Sequence, residues 1–300
     1  MRLKPLEQSL RTKLARMDWI GMLLFLTGSS LFAVPLSWAG NMYPWGSWRT
    51  ILPLVIGALT LLIFAIYEAR PAEPVSPYRI FRSRTAQMAL IGSFIQGMVL
   101  YTLLTYLPFV FQTVYLETPL KSAISILPFC CVLMAFSGIA ASTVDYFRHY
   151  RWEVWTEWIF LAPSAQVIAS IGIGTIFTVP PIPMQASAPT AEDQGLAVGV
   201  LVSFRLFGTL IGLAVGATTF SSVFPSLIAS VGSLPGEVAL LRNANEAVGF
   251  IPRLRTVGVP LSLRDAICRV YGESLRAIWY ILATFGGGGV SYLFTGGGID

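Results

Sequence analysis

The chain has 300 residues, a net charge of +5, 55% hydrophobic residues and only 12% charged ones. Soluble domains carry about 25% charged residues, so this composition excludes a molecule that faces water on all sides. The positive balance does not point to nucleic acid; in a chain this apolar it reads as the Lys and Arg excess of loops on one side of a membrane.

Residues 1–18 are polar and basic, with Arg2, Lys4, Arg11, Lys13 and Arg16. They read as a cytoplasmic linker, because the apolar run behind them is too long for the core of a signal peptide. A bilayer-crossing helix needs roughly 20 apolar residues, and the chain reaches that length repeatedly. The first predicted span is 19–38, with Trp19 and Trp38 as interfacial anchors. A turn over 39–50 leads to a second span at 51–67. Residues 68–85, rich in Pro and Arg, form a basic loop. Further spans are predicted at 86–110, 122–144, 158–179, 196–220 and 277–294, giving an all-α bundle of about seven crossings. Residues 221–276 read as one long polar loop. Lys and Arg counts alternate along the loops: five in 1–18, one in 39–50, four in 68–85, one in 111–121, two in 145–157, none in 180–195 and six in 221–276. This alternation predicts a cytoplasmic N-terminus and puts 221–276 on the cytoplasmic side.

Chemistry-bearing residues are few. Cys130, Cys131 and Cys268 cannot make a disulfide framework. With one histidine, His149, and no spaced cysteine pair, neither a metal site nor a cofactor is expected. Asp145, Glu192 and Asp193 sit at span ends, where acidic residues suit a solvated end or a helix N-terminus. No acidic residue falls mid-span, which leaves a gap in any proton-coupled mechanism.

Arg205 stands inside the sixth span, where a guanidinium costs about 2.5–3.5 kcal/mol on insertion scales. It therefore either faces protein or a watery cavity, or snorkels to the interface. Gly208, Gly212 and Gly216 recur at a spacing of four, as Gly195 and Gly199 do earlier, and the five are expected on one packed side of the helix close to Arg205. Small residues at this spacing permit close helix approach. Gln96 in the third span and the line Gln166, Ser170, Gly174 in the fifth are either interhelical glue or a substrate-facing surface. Pro108 and Pro163 are expected to kink or end their helices.

Several stretches resemble the major facilitator superfamily, in particular the fourteen-helix drug:proton antiporters of fungi. They are Leu14–Gly21 (LARMDWIG), Leu36–Gly40 (LSWAG) with Tyr43-Pro44-Trp45, Trp48-Arg49-Thr50, Tyr106–Gln112 (YLPFVFQ), Pro119–Ser122 (PLKS), Leu127-Pro128 and Phe204–Gly208 (FRLFG). The resemblance implies two central helices, 19–67, followed by C-terminal-half helices over 86–220 and a last helix with its tail in 277–300. It implies a small-molecule efflux transporter embedded in the lipid bilayer, coupled to protons, in the plasma membrane rather than the vacuole. It also implies that six preceding helices are absent, and that one span is missing near 145–157. In the resembled family the last long loop is extracellular, opposite to the cation count. Such folds alternate access by rocking two halves about a midplane site, so one half is expected to need a second copy or an N-terminal half. A non-functional fragment is the alternative. A retinal-type receptor fails because no lysine is mid-span, and an enzyme finds no catalytic cluster or phosphate loop.

Overall fold

Asp18 starts the first helix: its Oδ1 accepts from the Gly21 amide at 2.9 Å and from the Tyr67 hydroxyl at 3.2 Å. The computed structural model describes residues 18–39, 42–68, 78–147, 166–188 and 193–295. Its helices are α1 (Trp19–Trp38), α2 (Trp48–Tyr67), α3 (Arg84–Thr113), α4 (Pro119–Phe147), α5 (Gln166–Thr178), α6 (Pro181–Ala186), α7 (Asp193–Ala229), α8 (Ala244–Phe250) and α9 (Leu261–Thr295), with short 3₁₀ turns at Tyr78–Arg82, Gly236–Arg242 and Arg253–Arg255. The described residues form no β-strand, only an isolated bridge between Ala39 and Tyr43. Among the described residues, five helices are long and apolar enough to cross a membrane: α1, α2, α3, α4 and α7. The predicted fifth span is represented by α5, 13 residues in the described part, and the seventh by the C-terminal part of α9. Pro108 sits inside α3, which continues past it; Pro163, His149 and Glu192 lie outside the described residues, as does the side chain of Asp145.

The packing is that of a bilayer protein. In α1 the buried residues are Gly21, Gly28, Pro35 and Leu36, and in α2 only Thr50 and Gly57, while Leu23, Leu26, Leu62, Ile63 and Ile66 are exposed. A soluble helix would bury those aliphatics. Here the small residues make the contact, with Gly57 against the Phe32 backbone and Gly28 against Leu61, because lipid solvates leucine as well as protein does.

Helix directions follow from paired positions. Ser93 meets Leu201, Gly97 meets Arg205 and Gly212 meets Met98, so α3 and α7 run parallel. Phe129 clusters with Ile173, Gly174 faces Leu133, and Ser137 hydrogen-bonds Thr178, so α4 and α5 also run parallel. Two helices that run the same way are ordinarily separated by a crossing in the other direction; residues 148–165, between these two, lie outside the described residues.

The region 221–276 differs from the expected polar loop. The helix α7 continues past Phe220 to Ala229, and α9 begins at Leu261. Between them the chain folds onto the bundle. Phe224, Leu234, Val238, Leu241, Phe250 and Leu254 join Tyr106 of α3 and Tyr271 of α9 in the largest apolar cluster, with Phe109 and Leu116 packed against it. The cation count also misplaces this segment. Trp45 in the turn after α1 donates to Thr218 Oγ1 at 3.1 Å, and Leu116 lies beyond the far end of α3. Residues 230–260 therefore share an end of the bundle with the 39–47 turn, opposite the basic Arg79 loop. The buried Tyr271 hydroxyl holds this cap by donating to the Ala247 carbonyl at 2.6 Å. Tyr271→Phe is expected to lower stability by about 1–2 kcal/mol, seen as a lower thermal midpoint with earlier proteolysis inside 230–260.

Candidate functional site

The α3–α7 crossing is built by glycine. A Cβ at Gly97 would overlap the Arg205 carbonyl oxygen, one at Gly208 the Phe94 carbonyl oxygen, and one at Gly212 would stand 2.5 Å from the Met98 carbonyl oxygen. Gly216 packs on the Tyr106 ring. Gly195 and Gly199, expected on the same packed face, meet nothing within 4 Å. They occupy the first turns of α7, which pack on α3 through Ala197, Val200 and Leu201; Gly199 stands about two and a half turns from Gly208 and so faces the opposite way.

Close approach carries Arg205 inward until it is 6% exposed. Its Nε donates to Ser93 Oγ at 3.3 Å, and Ser93 Oγ donates onward to the Leu201 carbonyl at 3.3 Å. Nη2 donates to the Phe177 carbonyl at 3.1 Å, and Cζ lies 4.5 Å from the centroid of the Phe177 ring. The guanidinium thus bonds α3 and caps the C-terminal end of α5, where unpaired carbonyls and the helix dipole favour a cation. It does not snorkel. The ion pairs among the described residues are Arg79–Asp193 and Lys121–Glu117, so Arg205 has no carboxylate partner among them.

Gln96, on α3 one turn from Ser93, is 1% exposed, and neither its Oε1 nor its Nε2 has a hydrogen-bond partner among the described residues. A buried polar group left unpaired costs about 1–3 kcal/mol, and such a group in a native fold calls for an explanation. Gln96→Met is therefore expected to leave the thermal midpoint unchanged or raise it, while lowering export if the amide serves a ligand. Unchanged export would make Gln96 a packing residue. Gln166 opens α5, and its side chain lies outside the described residues. Ser170, on the same line, is fully buried, and Gly174 packs on the Leu133 carbonyl.

Two features of the site are not legible in the sequence. Phe177 supplies both a carbonyl and a ring to Arg205; the only cue was its place just before Pro180 and Pro181. Asp193 was expected to suit a helix start, and it does open α7. It is also fully buried and pairs with Arg79 Nη2 at 2.6 Å, tying the basic loop to α7.

Residues 2–175 match the family described as fungal trichothecene efflux pump (TRI12). The chain belongs to this family. Among curated relatives, the MFS-type transporter sphD of Aspergillus fumigatus is 39% identical over 304 positions, which cover 95% of this chain and 52% of the relative. The Acurin A biosynthesis cluster MFS-type transporter of Aspergillus aculeatus is 30% identical over 314 positions, 96% of this chain and 55% of its own length. Efflux pump FUS6 of Gibberella fujikuroi is 29% identical over 308 positions, 94% and 54%. The chain spans about half the length of the curated relatives it matches. Among solved structures, the inward-facing, occupied form of a bacterial homolog to the human lysosomal transporter Spinster superposes with a TM-score of 0.56 at 17% identity, covering 91% of this chain and 64% of that one. The major facilitator resemblance is therefore correct, the fold is a multi-pass membrane bundle, and the relatives are transporters, not enzymes.

Proposed function

We propose that this chain is the C-terminal portion of a proton-coupled exporter of small amphipathic organic molecules in the plasma membrane, with Arg205, Gln96 and Gln166 facing the substrate path. The observation that carries the reading is the polar centre of the α3–α7 crossing: among the described residues, a cation without a carboxylate and an amide without a partner, both buried in an apolar bundle. Polar groups at membrane depth are costly, and those that persist usually serve a pathway or a ligand. The five candidate spans contain no acidic residue except Asp193, the first residue of α7. A proton-carrying carboxylate would then come from outside these spans.

One observation favours a second reading, in which the chain is a shortened, inactive form. Ninety-five per cent of 300 residues is about 285, against 304 positions aligned with sphD. The surplus in the relative is close to one span of about 20 residues. A span lost between α4 and α5 accounts for both that surplus and their parallel course.

The test combines topology with transport. Glycosylation tags in 39–47 and in 230–260 are expected to be modified together, since both lie at one end of the bundle. Modification of the 39–47 tag alone would mean that the last helices are inverted, as the cation count predicts. Vesicles containing the correctly inserted chain are then assayed for proton-driven efflux of a fluorescent amphipathic dye. Efflux supports the exporter; none, from folded protein, leaves the inactive form.

A further inference from the structure

The buried guanidinium of Arg205 is not locked in on every side. Its hydrogen bonds use Nε, to Ser93 Oγ, and Nη2, to the Phe177 carbonyl; Nη1 has no hydrogen-bond partner among the described residues. One face of the cation is covered by the Phe177 ring, whose centroid lies 4.5 Å from Cζ. That ring is itself 39% exposed, while Arg205 beneath it is 6% exposed. An exposed aromatic side chain changes rotamer within nanoseconds. When this ring turns away, the Phe177 carbonyl keeps its bond to Nη2, so the cation is uncovered without being released.

The chemistry uncovered is specific. A guanidinium offers N–H groups in a planar fork that matches a carboxylate, and here Nη1 and the second proton of Nη2 remain for a ligand. Among the described residues the cation has no carboxylate partner, so an anion is what the centre lacks. Folding has already taken Arg205 out of water and fixed its position. A ligand anion therefore meets a preorganised partner in surroundings of low dielectric, where attraction is strong. A neutral carbonyl would accept the same protons but leave the charge uncompensated. The Gln96 amide, buried and unpartnered among the described residues, stands one turn from Ser93, and its neighbour Gly97 packs on the Arg205 backbone. Depth favours a transported molecule over a lipid headgroup. Arg205 stands about 18 Å along α7 from Asp193 at 1.5 Å per residue, near the middle of a bilayer core about 30 Å thick.

We propose that Arg205, gated by the Phe177 ring, binds the acidic group of an organic anion, and that the substrates of this site are amphipathic acids. This inference rests on the reading above that Arg205 faces the substrate path.

The probes are dansylaminoundecanoic acid and its methyl ester, which share a tail and a fluorophore and differ in charge. Each is titrated by fluorescence against the full chain in an uncharged detergent at neutral pH. The acid is expected to bind at least about tenfold more tightly than the ester, the worth of one charge-assisted hydrogen bond. In Arg205→Met the acid is expected to fall to the affinity of the ester. Phe177→Ala keeps the carbonyl that bonds Nη2 and removes the ring, and it is expected to raise the association rate of the acid severalfold. The comparison on the parent chain needs no variant, so it decides even where a substitution prevents folding. Equal affinities for acid and ester would overturn the proposal, as would an acid preference that survives in Arg205→Met. Displacement of the acid by short-chain phosphatidylglycerol, but not by phosphatidylcholine, would overturn it in favour of a lipid headgroup. An association rate unchanged in Phe177→Ala would overturn the gate. Equal affinities that both fall in Gln96→Met remove only the preference for acids and keep the substrate path. If neither probe binds the parent chain, or both bind regardless of Arg205→Met and Gln96→Met, the substrate path falls as well.

Discussion

Arg205→Ala is expected to cost about 3 kcal/mol of stability, read as a drop in the thermal midpoint of the purified chain in detergent. The guanidinium joins three helices: its own α7, α3 through Ser93 Oγ, and α5 through the Phe177 carbonyl. Alanine opens a cavity at a buried crossing, leaves the Phe177 carbonyl without its donor and removes the cation from the Phe177 ring. Arg205→Lys should recover only part of the loss, because an ammonium cannot reproduce the planar fork that reaches both helices. Arg205→Met separates structure from function. It refills the volume without a charge, and a buried charged group replaced by a packed apolar one is often neutral for stability. If Arg205 serves a substrate, the methionine chain melts near the parent temperature but loses efflux. If the methionine chain exports as well as the parent, Arg205 acts only as a clasp.

The parts of this fold legible in the sequence are those governed by local periodicity and by length. The apolar runs locate α1, α2, α3, α4 and α7 because each must span the bilayer by itself. The four-residue spacing of Gly208, Gly212 and Gly216 identifies the packed side of α7 because helical periodicity alone decides that side. Gly195 and Gly199 do not belong to that side: about two and a half turns separate Gly199 from Gly208, so the earlier pair faces the opposite way, while Ala197, Val200 and Leu201 of the same turns pack on α3. The 221–276 segment misleads for a different reason. Its arginines make it look solvated, yet Phe224, Phe250, Leu254 and Tyr271, spread through that polar sequence, collect into one apolar cluster only when the chain folds back. Cation counting fails in the same stretch because it puts 39–50 and 221–276 on opposite sides, whereas the fold brings both to one end of the bundle. At the site, Arg205 and Gln96 were visible as polar residues in apolar runs. Phe177 and the Arg79–Asp193 pair were not, because their partners lie far away in sequence and only the tertiary fold joins them.

Gly208→Val should have the most severe effect of any single substitution considered for this bundle. A Cβ at Gly208 would overlap the carbonyl oxygen of Phe94. The obstacle is backbone, so no side-chain rotation relieves it, and α3 must move bodily away from α7. Neighbouring contacts forbid a local adjustment. Gly97 sits against the Arg205 carbonyl three residues along α3, and Gly212 against the Met98 carbonyl one turn along α7. Displacing α3 would also lengthen the Arg205 Nε to Ser93 Oγ bond beyond its present 3.3 Å and break it. Overpacking in a well-filled core costs about 1–3 kcal/mol when side chains can yield. With a helix backbone as the obstacle, the expected cost is above about 4 kcal/mol, in the range of exceptional substitutions. The purified Gly208→Val chain is therefore expected to run as aggregate on size exclusion, with no cooperative melt. Gly199→Val, on the same helix but in open space, should elute as the parent does and melt within about 0.5 kcal/mol of it. The pair shares one chemical change and one helix, so helix propensity cancels between them and only the α3 contact remains. Similar melts for the two variants would mean that α3 and α7 do not cross at Gly208, and the polar centre built on that crossing would fall with it.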